Sequence, residues 1–375
     1  MSTTQPYQIC KQCIKDTTDP EISFDERGIC SHCRNFEENI RKDWHPDDQE
    51  QLRIIAESIK AEGEGREYDS IMGLSGGVDS SYLAYQAKRL GLRPLAVHVD
   101  AGWNSEIAVK NIENLVKKLG FDLHTYVVDW DEMQDLQASF FRAGVANQDV
   151  PQDHAFTASL YREALKKGIK TILSGGNIAT ESILPPAWAY NAMDLRHLKA
   201  IHKRFGKRKL KTYPTINFFQ YYIYYPYIRR IKTVRLLNYL PYNKEEAIRT
   251  LESELGWRNY GGKHFESRFT KFQQAHFRPI KFGYEERKAY LSSLILSGQM
   301  SREDAIKEME KKIYSEDQLQ EDQLFVIKKL GLSKNEFKEI MAMPNKTYRD
   351  YPSNSSLFRL KDRLKGALGK LAPKK

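Results

Sequence analysis

Tyr68-Asp-Ser-Ile-Met-Gly-Leu74-Ser-Gly-Gly-Val-Asp79-Ser-Ser81 is the stretch on which the fold turns. The apolar run Tyr68–Leu74 ends in glycines. It is followed at once by Ser80–Leu90, where Leu83, Ala84, Ala87 and Leu90 share a helical face that Gly91 stops. The layout is strand, loop, helix. Glycines let successive backbone N–H groups turn toward one anion, and the helix N-terminus adds its partial positive charge. Serine hydroxyls donate further, so Ser75, Gly76, Gly77, Asp79, Ser80 and Ser81 are candidate phosphate-binding residues. Neither a Gly-Lys-Ser/Thr ending nor Gly-x-Gly-x-x-Gly is present, which disfavours a Walker loop and a dinucleotide site. Asp79 inside an anion cradle repels its ligand unless a divalent cation lies between them, which implies Mg²⁺.

Outward from this loop the pattern repeats. Pro94–Val99, His124–Val128 and Thr171–Leu173 read as further strands, and Glu106–Leu119 and Asp153–Lys167 as helices closed by Gly120 and Gly168. Strands spaced by such helices predict an α/β domain with a parallel sheet covered on both faces. Ligands of such sheets bind outside the carboxyl ends of the strands. That adds Asp100, Gly175, Gly176 and Asn177 to the candidates, with Glu181 as a second magnesium or substrate contact.

All four cysteines lie in the first 45 residues, as Cys10-x-x-Cys13 and Cys30-x-x-Cys33. Two thiolate pairs at this spacing complete a tetrahedron around one zinc ion, with no open position for catalysis. His32 reads as a bystander. The module is expected to be structural, its loss lowering solubility without altering the nucleotide site. With all four sulfurs on a metal, no cysteine remains as a nucleophile or persulfide carrier.

Of the 375 residues 41% are hydrophobic, enough for a real core, and the net charge is +10. Residues 195–244 hold thirteen Lys and Arg and no acid, more than the net charge of the molecule, so the basic character is local. The aromatic run Phe218-Phe-Gln-Tyr-Tyr-Ile-Tyr-Tyr-Pro-Tyr227 sits inside that segment and reads as an interface. Helix starts are expected at Ser301 and Ser333 from their capping patterns. Leu357, Leu360, Leu364 and Leu368 form one face of a basic tail. The textures divide the chain at 1–45, 46–195, 196–345 and 346–375. No run of 18 apolar residues and no signal-peptide layout occurs, so a cytoplasmic location without a transmembrane segment is expected.

The loop with its strand and helix resembles the PP-loop of ATP pyrophosphatases, Ser-Gly-Gly-x-Asp-Ser. That resemblance implies an adenine nucleotide alpha hydrolase-like fold, cleavage of ATP between its α and β phosphates, and adenosine bound near Asp100 and Gly175-Gly176-Asn177. Together with the cysteine pairs, Tyr260-Gly-Gly-Lys-His-Phe-Glu-Ser-Arg-Phe-Thr-Lys-Phe272 and Lys281-Phe-Gly-Tyr-Glu-Glu-Arg287, the chain resembles the N-acetyl sugar amidotransferases of bacterial surface polysaccharide (LPS O-antigen) synthesis. Membership implies conversion of a sugar acetamido group to an acetamidino group through an adenylated imidate. It implies ATP, Mg²⁺ and structural Zn²⁺, a nucleotide-linked or anionic N-acetyl sugar, and ammonia from a separate glutaminase and barrel synthase-like pair. Lys263, His264 and Glu266 are the candidate catalytic residues beside Asp79; His264 and Glu266 are two apart and act together only from a turn or strand. The competing reading is a PP-loop tRNA-modifying (thiolation) enzyme, to which zinc modules and basic, aromatic-rich segments are also suited. On the sugar reading no nucleic acid partner is expected.

Overall fold

The computed structural model describes residues 6–262, 265–361 and 363. Five strands, β1 (Ser70–Gly73), β2 (Pro94–Asp100), β3 (Leu123–Val127), β4 (Thr171–Leu173) and β5 (Lys232–Val234), form one sheet in the order β3-β2-β1-β4-β5. Every pairing is parallel, and β1 is central, with Met72 level with Ala96 of β2 and Leu173 of β4. The chain runs outward from β1 to β3, then returns to β4 on the other side of β1. Loops 74–77 and 174–177 therefore flank the point where the strand order reverses, and the crevice opens there.

Alternation along the strands fills two cores. Ile71, Leu95, Val97 and Val99 face the helices Trp130–Ala143, Val150–Lys166 and Leu195–Phe205. Met72, Leu74, Ala96 and Leu173 face Gln49–Glu62, Val78–Arg89, Glu106–Leu119 and Lys244–Leu255. The expected helix Glu106–Leu119 has those bounds, capped by the Ser105 side chain and closed by Gly120 at φ 66°. The sheet does not end where the charge pattern divides the chain at 195. β5 and the helix Lys244–Leu255, both beyond that point, complete the sheet and its cover.

The basic segment is fastened by two buried acids. The Asp135 carboxylate accepts the backbone N–H groups of Lys207 and Arg208, and Glu132 those of Lys211, Thr212 and Tyr213, at 2.7 to 3.1 Å. The C-terminal region is helical. Ser301 and Ser333 cap Arg302–Glu310 and Lys334–Ala342 as expected, their side chains accepting from Asp304 and Glu336 N–H at 3.0 Å. Of the tail's leucines, Leu357 and Leu360 are exposed, and Leu364 and Leu368 lie outside the described residues.

At the N-terminus Cys10, Cys13, Cys30 and Cys33 are buried, with their sulfurs within 4.8 Å of one another. Sulfur separations of 3.9, 3.7 and 3.6 Å match the edge of about 3.8 Å that a tetrahedron with Zn–S bonds of about 2.3 Å requires. Backbone N–H groups of Gln12, Lys15 and Cys30 point at these sulfurs, as thiolates need. The donor set fits zinc. His32 is turned away, its Nε2 2.7 Å from Asp19. The module lies close to loop 174–177. It packs on Ile178, Ile183 and Trp188, just past loop 174–177, and on Ala289 and Leu296. Arg302 holds the carbonyls of Cys10 and Cys13 at 3.0 Å.

Candidate active site

The turn after β1 is shaped by backbone requirements. Gly76 has φ +81°, and a Cβ there would stand 2.7 Å from the Ala108 carbonyl oxygen. Only glycine fits. Ser75 Oγ accepts the Gly77 N–H at 3.2 Å and lies 3.1 Å from Ser80 Oγ. The Trp257 indole donates to the Gly76 carbonyl at 2.9 Å, and the Tyr260 hydroxyl accepts the Val78 N–H at 3.1 Å. A cradle is thus held open at the N-terminus of Val78–Arg89.

A small cavity of about 150 Å³ sits in this cradle, lined by Ser75, Gly77, Asp79, Ser80 and Gly175, with Glu181, Lys244, Tyr260 and Glu266 closing it. Asp79 Oδ1 accepts from the Tyr242 hydroxyl and from Asn177 Nδ2, the latter at 3.2 Å. The glycine loop after β4 comes so close that a Cβ at Gly175 would stand 3.2 Å from the Ser80 nitrogen. Next to it, a methyl at Gly176 would meet Glu181 at 3.6 Å and Arg235 Nε at 3.8 Å, so an acid and a base flank that glycine. Burial, with the neighbouring Asp79 and Glu266 carboxylates, pushes the Tyr242 and Tyr260 hydroxyls well above their ordinary range. Both stay protonated and serve as donors.

The sequence candidates separate in space. Ser75, Gly77, Asp79, Ser80, Gly175, Glu181 and Glu266 converge on the small cavity. Ser81 is fully buried behind it. Asp100 caps its own strand end, accepting from Gly102 N–H at 2.7 Å and Asn104 Nδ2 at 3.3 Å. Glu266 arrives because residues 266–267 pair with the turn after β2, Ser105 N–H donating to the Glu266 carbonyl at 2.8 Å and Asn104 bridging to Ser267. Lys263 and His264 lie outside the described residues. Tyr242, Lys244 and Arg235 were not singled out as site residues in the sequence; they come from the end of the basic segment and carry no local motif.

The cradle adjoins a cleft of about 1640 Å³ that runs along the strand ends. One wall holds Asn147, Asp149, Gln152 and Asp153, at the start of Val150–Lys166. The facing wall holds Thr270, Gln274, Arg278 and Glu286. Buried bonds tie the walls together: Thr270 Oγ1 and Gln152 Nε2 each donate to Asp149 at 3.1 Å, Gln273 also reaches Asp149, and Arg278 joins Gln273 at 3.0 Å and pairs with Glu286.

Two family models match along the chain. Residues 71–177, the sheet and its loops, match asparagine synthase. Residues 266–365, which begin at Glu266 and supply the second cleft wall, match the C-terminal domain of the LPS biosynthesis protein WbpG-like family. The sheet with its loops is thus similar to a PP-loop ATP-using family, and residues 266–365 to a family of LPS biosynthesis. A curated relative, a tRNA(Ile)-lysidine synthase of Chlamydia pneumoniae, is 30% identical over 136 residues. That match takes in 36% of this chain and 40% of the relative, so the chain spans well under half of that protein's length. Similar solved structures include an NH3-dependent NAD synthetase from Campylobacter jejuni, at 17% identity and TM-score 0.29 over 42% of this chain and 73% of that one. An NMN synthetase from Francisella tularensis aligns over 80% of this chain and 98% of that one, at 10% identity and TM-score 0.36.

Proposed function

We infer that the chain is an ATP-dependent ligase, an AMP- and pyrophosphate-forming amidotransferase that turns a sugar acetamido group into an acetamidino group in O-antigen or other surface glycan synthesis. The observation that carries this reading is the joined pair of cavities. A phosphate-sized cradle rimmed by carboxylates opens into a cleft whose second wall belongs to the LPS-biosynthesis domain. At about 1640 Å³ the cleft exceeds the roughly 300–1,000 Å³ that suits one drug-sized ligand, which favours nucleotide and acceptor side by side.

In this reading the N–H groups of loop 75–77, with Ser75 and Ser80, hold the departing pyrophosphate, and residues 175–177 and Asp100 border the adenosine. Asp79 and Glu181 would hold the Mg²⁺ that offsets phosphate charge. The amide oxygen of the acceptor attacks the α-phosphorus and pyrophosphate leaves. Ammonia then attacks the imidate carbon, a proton is lost, and AMP departs as the C–N bond is retained. An amide oxygen is a weak nucleophile, so orientation and charge neutralisation must carry the step. Glu266 stands between cradle and cleft, placed to accept that proton, with Lys263 and His264 adjoining it in sequence. Carboxylates and carboxamides on the facing walls suit sugar hydroxyls, and Lys232 and Arg235 at the rim suit an anionic group. Neutral ammonia is scarce at pH 7, which favours a separate glutaminase and barrel synthase-like pair as its source. The divisions 1–45, 46–195, 196–345 and 346–375 then serve chiefly zinc, nucleotide, substrate or partner, and tail, with residues 232–255 completing the nucleotide-binding sheet.

The thiolation alternative is disfavoured by the gathering of all four cysteines in one buried cluster. The test is incubation with ATP, Mg²⁺, ammonium and a panel of nucleotide-linked acetamido sugars. Mass spectrometry would follow the exchange of oxygen for NH. Asp79→Ala is expected to lower AMP formation at least about a hundredfold while the fold persists. Orthophosphate instead of pyrophosphate, or no AMP with any sugar, would reject the reading.

A further inference from the structure

After Asn217 the chain winds as a π-helix, Gln220–Ile228, with wide hydrogen bonds such as Arg229 N–H to the Tyr224 carbonyl at 2.8 Å. Side chains four or five apart therefore share a face. One face is internal: Tyr221 and Tyr225 pack on Tyr161, ring centroids 5.5 and 4.9 Å apart. The other carries Phe219, Ile223, Tyr227 and Ile228, which are 53, 40, 75 and 59% exposed. Beside it the segment after Asn354 is seated by Phe358, 5.4 Å from Phe218 and 5.7 Å from Tyr222, and by Lys361 over the Tyr222 ring at 4.5 Å. Its Leu357 and Leu360 also stay exposed.

In the sequence, the charge around these apolar groups is almost all positive. Arg229 and Arg230 follow the π-helix directly, and Arg230 is held in a left-handed turn at φ 56°. No acid occurs from 195 to 244, and Asp362 is the one acid in the sequence after Asp350, against seven Lys and Arg. A protein partner normally meets hydrogen-bonding groups at such a face. Here the four outward side chains offer only the Tyr227 hydroxyl. Apolar and tyrosine side chains bordered by guanidinium groups are what an anionic bilayer accepts: rings and branched chains enter the acyl boundary while cations reach the lipid phosphates.

We propose that this face, Phe219–Arg230 with Leu357 and Leu360, docks the protein on anionic lipid surfaces. Tyr221 backs the face and also lines the cleft, so docking holds the cleft mouth beside the bilayer.

The experiment is co-sedimentation of the full chain with phosphatidylglycerol-containing vesicles and with pure phosphatidylcholine vesicles. Binding is expected to the first, weakened by salt, and little to the second. Arg229→Gln with Arg230→Asn, chosen because Asn tolerates the left-handed turn, should weaken binding about 30-fold. Ile223→Ser with Tyr227→Ser should abolish it. Circular dichroism melts unchanged from the parent certify that both variants fold. Failure to bind either vesicle, equal binding to both, or binding unchanged in the variants overturns the proposal. So does loss in the variants of glutamine-driven but not ammonium-driven turnover without any lipid binding, which would assign the face to a protein partner.

Discussion

Gly76 is where the backbone leaves least choice. Its φ of +81° costs an L-residue about 1–2 kcal/mol, and any Cβ meets the Ala108 carbonyl oxygen at 2.7 Å. Gly65 has a similar φ of +72° but open space around it. The pair separates strain from site. Gly65→Ala should lower stability by about 1–2 kcal/mol with ATP affinity intact. Gly76→Ala must shift the loop against Glu106–Leu119 and should weaken ATP binding at least about tenfold, read by calorimetry. Equal ATP affinity in the two variants would separate the loop from the nucleotide. The sequence displayed this residue's importance because a phosphate turn is local. Tyr242 had no such signal: it reaches Asp79 across 163 residues, and only the folded sheet brings them together.

Among the elements, legibility followed how much each depends on its own residues. β2, β4 and Glu106–Leu119 were readable because apolar runs bounded by glycine or proline declare themselves. β3 came out one residue early, at Leu123–Val127, since an edge strand only half-buried on alternate residues has soft ends. β5 was missed: Lys232-Thr-Val234 is short, largely exposed and set in the most basic stretch, and its pairing with β4 alone makes it a strand. The cysteine spacing disclosed a four-thiol cluster that fits zinc but not what it supports. Its packing on Ile178 and Ile183 places it behind the short helix Ile178–Glu181, which carries Glu181 to the cradle. Replacing Cys10 and Cys13 by Ser should therefore release zinc, lower the melting temperature by several degrees and also weaken ATP binding several-fold. Zinc content, melting and nucleotide calorimetry check this. Zinc loss with unchanged nucleotide affinity would return the module to a merely local role.

At the scale of the whole molecule, two interior histidines that sequence position did not mark add to acid sensitivity, and burial lowers His276 in the same direction. His154 joins Val150–Lys166 to the basic segment: Nδ1–H donates to the Ala192 carbonyl at 2.7 Å, and Nε2 accepts the Ile216 N–H at 3.1 Å. That geometry demands the neutral ring. His197 sits among Phe140, Tyr190 and Tyr351. Burial lowers both rings from 6.5 to about 4. Below pH 6.5 the unfolded chain therefore takes up protons that the folded chain refuses. Their contribution is complete above pH 6.5, is lost as pH falls toward 4, and changes no further below that. Asp16, Asp19 and Asp135 are lowered from 3.8, so their share is lost only at still lower pH. Because the His197 ring nitrogens have no hydrogen-bond partner among the described residues, phenylalanine can replace the ring with little loss. His197→Phe should melt like the parent at pH 7.5 and, at pH 5, gain up to about 2 kcal/mol over it. Denaturant titrations at the two pH values decide the matter, and parallel acid losses in parent and variant would show that His197 is not one of the groups that titrate on unfolding.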